Sequence, residues 1–165
     1  LIAQNTQAVI EENQVIDNAV GIIIGDTQRP VTLVGNRMAG NQTGIECHDA
    51  NPRLRKNVID GNLVGMQIDN ATPDLGTEAD AGENVFINNK QWAIQYMGRK
   101  PLLALMNWWG QATGPLAGQV LGQVRVNPWL RTDPRGALAV ERRGAMNQTP
   151  AIWGALKRNG SGGRP

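Results

Sequence analysis

An asparagine repeat constrains the fold of this chain more than any other feature of its sequence. Four pairs of Asn residues recur, and the second Asn always stands five positions after the first. The first members are Asn13, Asn36, Asn57 and Asn84, so the pairs are 23, 21 and 27 residues apart. In the first three copies a Gly follows three residues after the second Asn. Self-similarity with a period near 20 to 30 residues is typical of a solenoid, in which one structural unit stacks on the next.

Apolar residues keep step with this repeat and predict three short strands in each unit. They stand three positions before the first Asn, two positions after it, and as i, i+2 pairs just past the Gly. The three sets are Ile10, Leu33, Leu54 and Ala81; Val15, Met38, Ile59 and Phe86; and Ile22/Ile24, Ile45/Cys47 and Met66/Ile68, with Ile94/Tyr96 if the last copy holds one inserted residue. Alternate side chains of a strand point the same way. We therefore expect each set to stack as a column in the core.

Three strands per unit, separated by turns marked by Asn and Gly, describe one coil of a parallel β-helix. The spacing of a leucine-rich repeat and the six-residue period of a left-handed hexapeptide helix are both absent. Asn is suited to such turns because it tolerates the left-handed conformation, and stacked Asn amides can bond to one another from coil to coil. We expect the repeated Gly residues to supply positive φ angles.

The motif Ile-x-x-Asn-x-x-x-x-Asn-x-x-Gly-Ile-x-Ile resembles the right-handed parallel β-helix superfamily, which includes pectate-lyase-like proteins and many secreted bacterial proteins. Residues 73–77 with 82–86 are similar to an insertion that such proteins carry before a final coil. Asn107-Trp108-Trp109-Gly110, Gly114-Pro115 and Asn127-Pro128-Trp129-Leu130 are similar to their closing segment. The resemblance covers about residues 1–130. It implies an all-β, right-handed parallel β-helix of about four to five coils with an extracellular, cell-surface or periplasmic location, and it implies little about activity.

The sequence predicts three regions: coils over residues 1–98, a Trp-rich C-terminal cap over 99–130, and a basic extension over 131–165. We expect Trp108, Trp109 and Trp129 to cover the end of the core with their indole N–H groups facing outward. The extension carries seven Lys and Arg against two Asp and Glu, whereas residues 1–130 carry nine against twelve. It is predicted to dock on the body of the protein or on another chain, with Trp153 as the anchor and Arg142 and Arg143 as partner-binding residues.

The composition excludes several kinds of site. The chain has one Cys, one His and one Ser, so a disulfide framework, a zinc site with several His or Cys ligands, and a Ser-His-Asp triad are all ruled out. Cys47 falls in a core column and is expected to act as a small apolar residue beside His48. The chain begins at Leu1 without a Met or a signal peptide, and we interpret it as a processed or partial chain.

Two weak candidate sites remain. Arg53, Arg55 and Lys56 are the cations that would neutralise a uronate carboxylate in a lyase. Calcium is the one cofactor that the sequence suggests, because hard oxygen ligands cluster in the longest loop. Those candidate ligands are Asp69, Asp74, Glu78 and Asp80.

The sequence therefore favours a non-catalytic extracellular structural or assembly module with weak glycan binding. The alternative is a calcium-assisted polysaccharide lyase, or a fragment of a carbohydrate-active β-helix enzyme. We do not expect a nucleic-acid partner, because the arginines of the extension are not interleaved with aromatic residues. We expect no transmembrane segment, because the longest apolar run is far shorter than a bilayer-spanning helix requires.

Overall fold

A computed structural model describes residues 1–136 of the 165-residue chain. Residues Leu1–Pro134 form one compact unit, and a second unit spans Arg135–Pro165. The partner-binding residues predicted in the extension, Arg142, Arg143 and Trp153, lie outside the described residues. The fold below is that of the first unit.

The first unit is built from short strands joined by tight turns. They are β1 (Ile2–Gln4), β2 (Ala8–Glu11), β3 (Gln14–Ile16), β4 (Val20–Thr27), β5 (Val31–Val34), β6 (Arg37–Ala39), β7 (Thr43–Ala50), β8 (Arg53–Arg55), β9 (Val58–Asp60), β10 (Val64–Asp69), β11 (Val85–Ile87), β12 (Trp92–Tyr96), β13 (Leu102–Leu103), β14 (Val120–Leu121) and β15 (Val124–Arg125). No helix within residues 1–136 is long and apolar enough to cross a membrane.

Every strand pairing is parallel, and the strands fall into three stacked sheets with one further pair. The orders are β1-β4-β7-β10-β12-β14 in the first sheet, β2-β5-β8 in the second, β3-β6-β9-β11 in the third, and β13-β15 in the pair. Successive coils stack their strands on these sheets, and the chain winds through about five coils. The fold is therefore a parallel β-helix, as predicted.

The core consists of the predicted columns, with one correction. Ile22, Ile45, Met66 and Ile94 are in register in the first sheet, as are Ile24, Cys47, Ile68 and Tyr96, which confirms the one-residue insertion in the last copy. The third sheet aligns Val15, Met38, Ile59 and Phe86 as predicted.

The prediction for Ala81 is wrong. A bridge between Arg53 and Asp74 places Leu75 next to Leu54, and Leu75 is fully buried. The column therefore keeps its spacing of 21 residues, and the extra residues leave the helix after Leu75. The stems of this excursion, Gly76 and Gly82, touch so closely that a Cβ on Gly76 would lie 2.3 Å from the Gly82 nitrogen. We call residues 76–82 the insertion loop.

Two asparagine ladders run along the corners of the helix. In the first, the amide nitrogen of Asn36 donates to Oδ1 of Asn57 at 3.1 Å, and Asn57 donates in the same way to Asn84 at 3.0 Å. The second ladder joins Asn18, Asn41, Asn62 and Asn89. Asn107 extends the first ladder by one coil, because its Oδ1 accepts from Asn84. The inner members of both ladders are buried, so these amides satisfy each other and the backbone of the turns.

The left-handed conformation was predicted at the wrong residues. It belongs to the residue just before each ladder Asn: Glu12, Gly35, Lys56, Glu83 and Met106 precede the first ladder, and Asp17, Gly40, Gly61 and Asn88 precede the second. The repeated Gly21, Gly44 and Gly65 do not have positive φ angles. They are Gly because a Cβ there would lie about 2.6 Å from a backbone oxygen of the next coil and against the ladder amide. Close approach of the coils, not turn geometry, selects glycine.

Trp109 belongs to the core and not to its surface. A bridge between Val85 and Trp108 sets Trp109 on Phe86, where the two rings stack with centroids 4.9 Å apart. The expectation that the Trp109 indole N–H faces outward is wrong, since Nε1 is buried without a hydrogen-bond partner. Trp129 is partly buried against the core, and its Nε1 donates to the carbonyl oxygen of Ala112 at 3.1 Å.

Candidate functional site

The three residues predicted to bind a uronate lie on and just after strand β8. Arg53 and Arg55 are the first and last residues of β8, and the next coil brings Asp74 and Asp80 against them. Arg55 Nη2 lies 2.6 Å from an oxygen of Asp80 and 2.7 Å from one of Asp74. Arg53 Nη2 donates to both oxygens of Asp80, at 2.9 and 3.0 Å. These four side chains form what we call the arginine cluster.

The arginine cluster is electrostatically self-contained. Burial alone lowers the pKa of Arg55, but hydrogen bonds to Asp80 and Asp74 outweigh it and hold the pKa above its ordinary value. The same bonds, from Arg55 and then Arg53, hold the pKa of Asp80 well below its usual range. Lys56 lies beside the cluster with Nζ 3.5 Å from a Glu83 oxygen. The cations that a lyase would use to bind a substrate are thus already paired with carboxylates of the chain itself.

Acid will loosen the insertion loop by protonating Asp80. Because its pKa is depressed in the folded state, its contribution is complete above the pKa of an unfolded Asp, about 4, and is lost as the pH falls from there toward the folded pKa. We expect Asp80→Asn to speed amide hydrogen exchange in residues 76–82 at pH 7 and to change it little at low pH. Glu78→Gln, on the same loop, is the control. A difference between wild type and Asp80→Asn that does not shrink with acid would contradict this assignment.

The four predicted calcium ligands are not brought together. Asp74 and Asp80 share the arginine cluster, Glu78 is exposed on the insertion loop, and Asp69 ends strand β10. Within residues 1–136, one group of His, Cys, Asp and Glu side chains places three ligand atoms within 4.8 Å of one another, and it consists of Asp26, His48 and Asp49. Calcium binding at the predicted residues stays a prediction.

A groove lies between the turns that follow β10 and β12. The cations Arg99 and Lys100 line one side, and no ion pair joins them to a carboxylate of residues 1–136. Tyr96 lies against the groove but is buried, with its hydroxyl donating to the carbonyl oxygen of Lys100 at 2.7 Å. The remaining polar lining includes Asn51, Asp69, Asn70 and Thr72. This groove, which we call the turn groove, offers hydrogen bonds and positive charge without an exposed aromatic platform.

Cys47 is not a candidate nucleophile. It is 1% exposed in its core column, as predicted, and burial raises its pKa to about 12. The thiolate needed for nucleophilic attack is therefore scarce at physiological pH. Its neighbour His48 points outward and approaches Asp26 of the preceding coil, with 3.9 Å between Nδ1 and Oδ1.

Comparison with protein families matches residues 1–114 to the family described as "Protein of unknown function (DUF1565)". The chain belongs to this family. No curated protein and no solved structure matches it. The arginine cluster, the turn groove and the Asp26–His48–Asp49 group all lie within the matched residues of this chain.

Sequence reasoning found the arginine cluster but missed the other two features. The charges of Arg53, Arg55 and the acidic loop are concentrated in the sequence, and the repeat places them one coil apart. The turn groove draws on Arg99 and Lys100, which lie beyond the last recognised repeat. The signal for Asp26 beside His48 was present, because the repeat aligns Ile24 with Cys47 and hence places Asp26 one position beyond His48 on the adjacent strand.

Proposed function

We propose that this DUF1565 domain is a non-catalytic, extracellular or cell-surface β-helix module with a structural or assembly role. The observation that carries the proposal is the engagement of Arg53 and Arg55 by Asp74 and Asp80. A uronate carboxylate would have to displace a carboxylate that the protein itself holds at 2.6 to 2.9 Å. Arginines bound in this way fix the insertion loop and are poorly placed to neutralise a substrate.

The turn groove supports a second component of the proposal, weak binding of an acidic glycan. Arg99 and Lys100 supply positive charge that no carboxylate of residues 1–136 pairs with, and side chains of Asn51 and Thr72 supply polar contacts to hydroxyl groups. Thr72 Oγ1 already donates to Asn51 at 2.9 Å, so the two side chains are held in place before a ligand arrives. The groove lacks the exposed aromatic ring on which tight sugar binding commonly depends, and this favours weak affinity.

Calorimetry with polygalacturonate tests the glycan component. We expect Arg99→Gln/Lys100→Gln to weaken binding several-fold, whereas Lys90→Gln/Arg125→Gln, which removes two exposed cations elsewhere, leaves it nearly unchanged. Equal losses of affinity in the two double variants would mean that binding depends on the overall positive charge of the protein and not on the turn groove. Incubation of the same samples with Ca²⁺ and polygalacturonate tests the alternative function, a calcium-assisted polysaccharide lyase. Accumulation of unsaturated uronate products would establish a lyase and overturn the non-catalytic proposal.

Light scattering tests the assembly component. The full chain is compared with a chain ending at Pro134, which retains the whole first compact unit. We expect the full chain to form a larger particle than its own mass predicts and the shorter chain to be monomeric. Trp153→Ala in the full chain should reproduce the truncation if Trp153 is the anchor. If the full chain and the shorter chain are both monomeric, the assembly role is overturned, whereas the proposal of glycan binding is unaffected.

A further inference from the structure

The Asp26–His48–Asp49 group is assembled from two coils, at the C-terminal ends of two adjacent strands of the first sheet. Asp26 lies near the end of β4, and His48 and Asp49 lie near the end of β7, which pairs with β4 in parallel. One nitrogen of His48 and one oxygen from each carboxylate lie within 4.8 Å of one another. Neither the repeat nor the core explains why an imidazole and two carboxylates converge there.

The spacing of these atoms suits an ion better than a direct bond. Nδ1 of His48 and Oδ1 of Asp26 are 3.9 Å apart, which is too long for a hydrogen bond. Zinc bonds to imidazole nitrogen and to carboxylate oxygen are each about 2.1 Å long. At the tetrahedral angle that zinc prefers, two such bonds span about 3.4 Å, so a side-chain movement of about half an ångström would let one ion contact both atoms.

Neighbouring side chains orient both carboxylates and the imidazole. Gln4 Nε2 donates to Oδ2 of Asp26 at 3.3 Å, and Asn70 Nδ2 donates to Oδ1 of Asp49. These bonds leave the second oxygen of each carboxylate for another partner. The His48 ring lies directly over Gly25, where a Cβ would be 2.2 Å from Cε1. Any larger residue at position 25 would displace the ring from the two carboxylates.

We propose that Asp26, His48 and Asp49 form a binding site for a divalent transition-metal ion of the zinc type. One imidazole and two carboxylates are a borderline-to-hard donor set, which such ions accept in three-ligand sites that leave the remaining positions to water. Asp26 is exposed and His48 is partly exposed, so water reaches the open side. The site adjoins the turn groove, because Asn70 lines that groove and donates to Asp49, and it shares no residue with the arginine cluster.

The competing arrangement is a protonated His48 held between two aspartates without a metal. Titration of the untagged full-length chain with ZnCl₂ at neutral pH distinguishes the two by calorimetry. We expect one ion per chain, no binding to this site in His48→Gln, and binding at least about tenfold weaker in Asp26→Asn. Asp17→Asn is the matched control, because Asp17 is also an exposed, left-handed turn aspartate but lies outside the group. It should bind as wild type does.

A second measurement guards against loss of fold in the variants. The chain contains a single His, so its imidazole resonances in the wild-type protein report on this site alone. We expect them to shift with saturation at one equivalent of Zn²⁺. Absence of zinc binding, imidazole signals unmoved by zinc, or binding that survives in His48→Gln would each overturn the proposal.

Discussion

Ile68→Asp will unfold the β-helix, whereas Gln67→Asp, one residue away, will be tolerated. Ile68 is fully buried between Cys47 and Tyr96 in its column. The substitution loses about 1.5 to 3 kcal/mol of apolar burial and adds the cost of an unpaired buried carboxylate, which is several kcal/mol more. Together these losses are comparable to the total stability of a domain, about 5 to 15 kcal/mol, so we expect the folded state to be lost.

Gln67 is the matched control because it faces the other way on the same strand. It is half-buried on the outer surface, in register with Glu46 and Gln95. An Asp at this position meets at most the mild repulsion of Glu46, about 1 kcal/mol. Urea unfolding followed by circular dichroism measures both variants. Similar midpoints for the two would overturn the assignment of inward and outward faces.

Asn57→Ala will destabilise the protein by about 3 kcal/mol or more, because one side chain serves two coils and the turn between them. Its Oδ1 accepts from both the backbone and the side-chain nitrogen of Asn36, at 3.0 and 3.1 Å. Its amide nitrogen donates to the carbonyl oxygens of Leu33 and Arg55. Alanine leaves these groups without that partner in a part of the core that water does not reach.

Asn13→Ala provides the comparison at the end of the same ladder. Asn13 also bonds to the next rung, with Nδ2 3.1 Å from Oδ1 of Asn36, but it is exposed and water can replace its bonds. We expect a loss of about 1 kcal/mol or less. Chemical unfolding of both variants against wild type decides the question. An equal cost for the two would mean that the ladder is an incidental feature of the turns.

The repeat predicted the coils, the columns and both ladders because each depends on a residue type at a fixed spacing. Its errors arose where spacing no longer carried the signal. Counting back three positions from Asn84 selected Ala81, because sequence alone does not show on which side of the column the extra residues leave the helix. The indole N–H of Trp109 was expected to face outward because the repeat that aligns Trp109 with Phe86 is too degenerate to recognise. The extension of the first ladder to Asn107 was not predicted for the same reason.

The candidate sites were less predictable than the fold because their geometry depends on contacts between coils. Clustering of charge in the sequence singled out Arg53 and Arg55 as well as the acidic loop, but composition does not distinguish cations available to a substrate from cations already paired. The 2.6 Å distance between Arg55 and Asp80 makes that distinction. The approach of His48 to Asp26 depends on Gly25 giving the imidazole room, which a search for metal-binding motifs does not detect.

Gly76 and Gly82 lie so close together that the residues between them add to the length of the chain without lengthening the coil. Leu54 and Leu75 keep the shorter period, while Asn57 and Asn84 on the far side of the excursion are 27 residues apart and still bonded. Additional sequence can therefore be spliced in between these two glycines without moving a single rung of the ladder. The salt bridges of Asp80 are the main contacts that a longer graft would have to preserve. The insertion loop is thus a position at which a foreign peptide can be inserted and displayed on the β-helix.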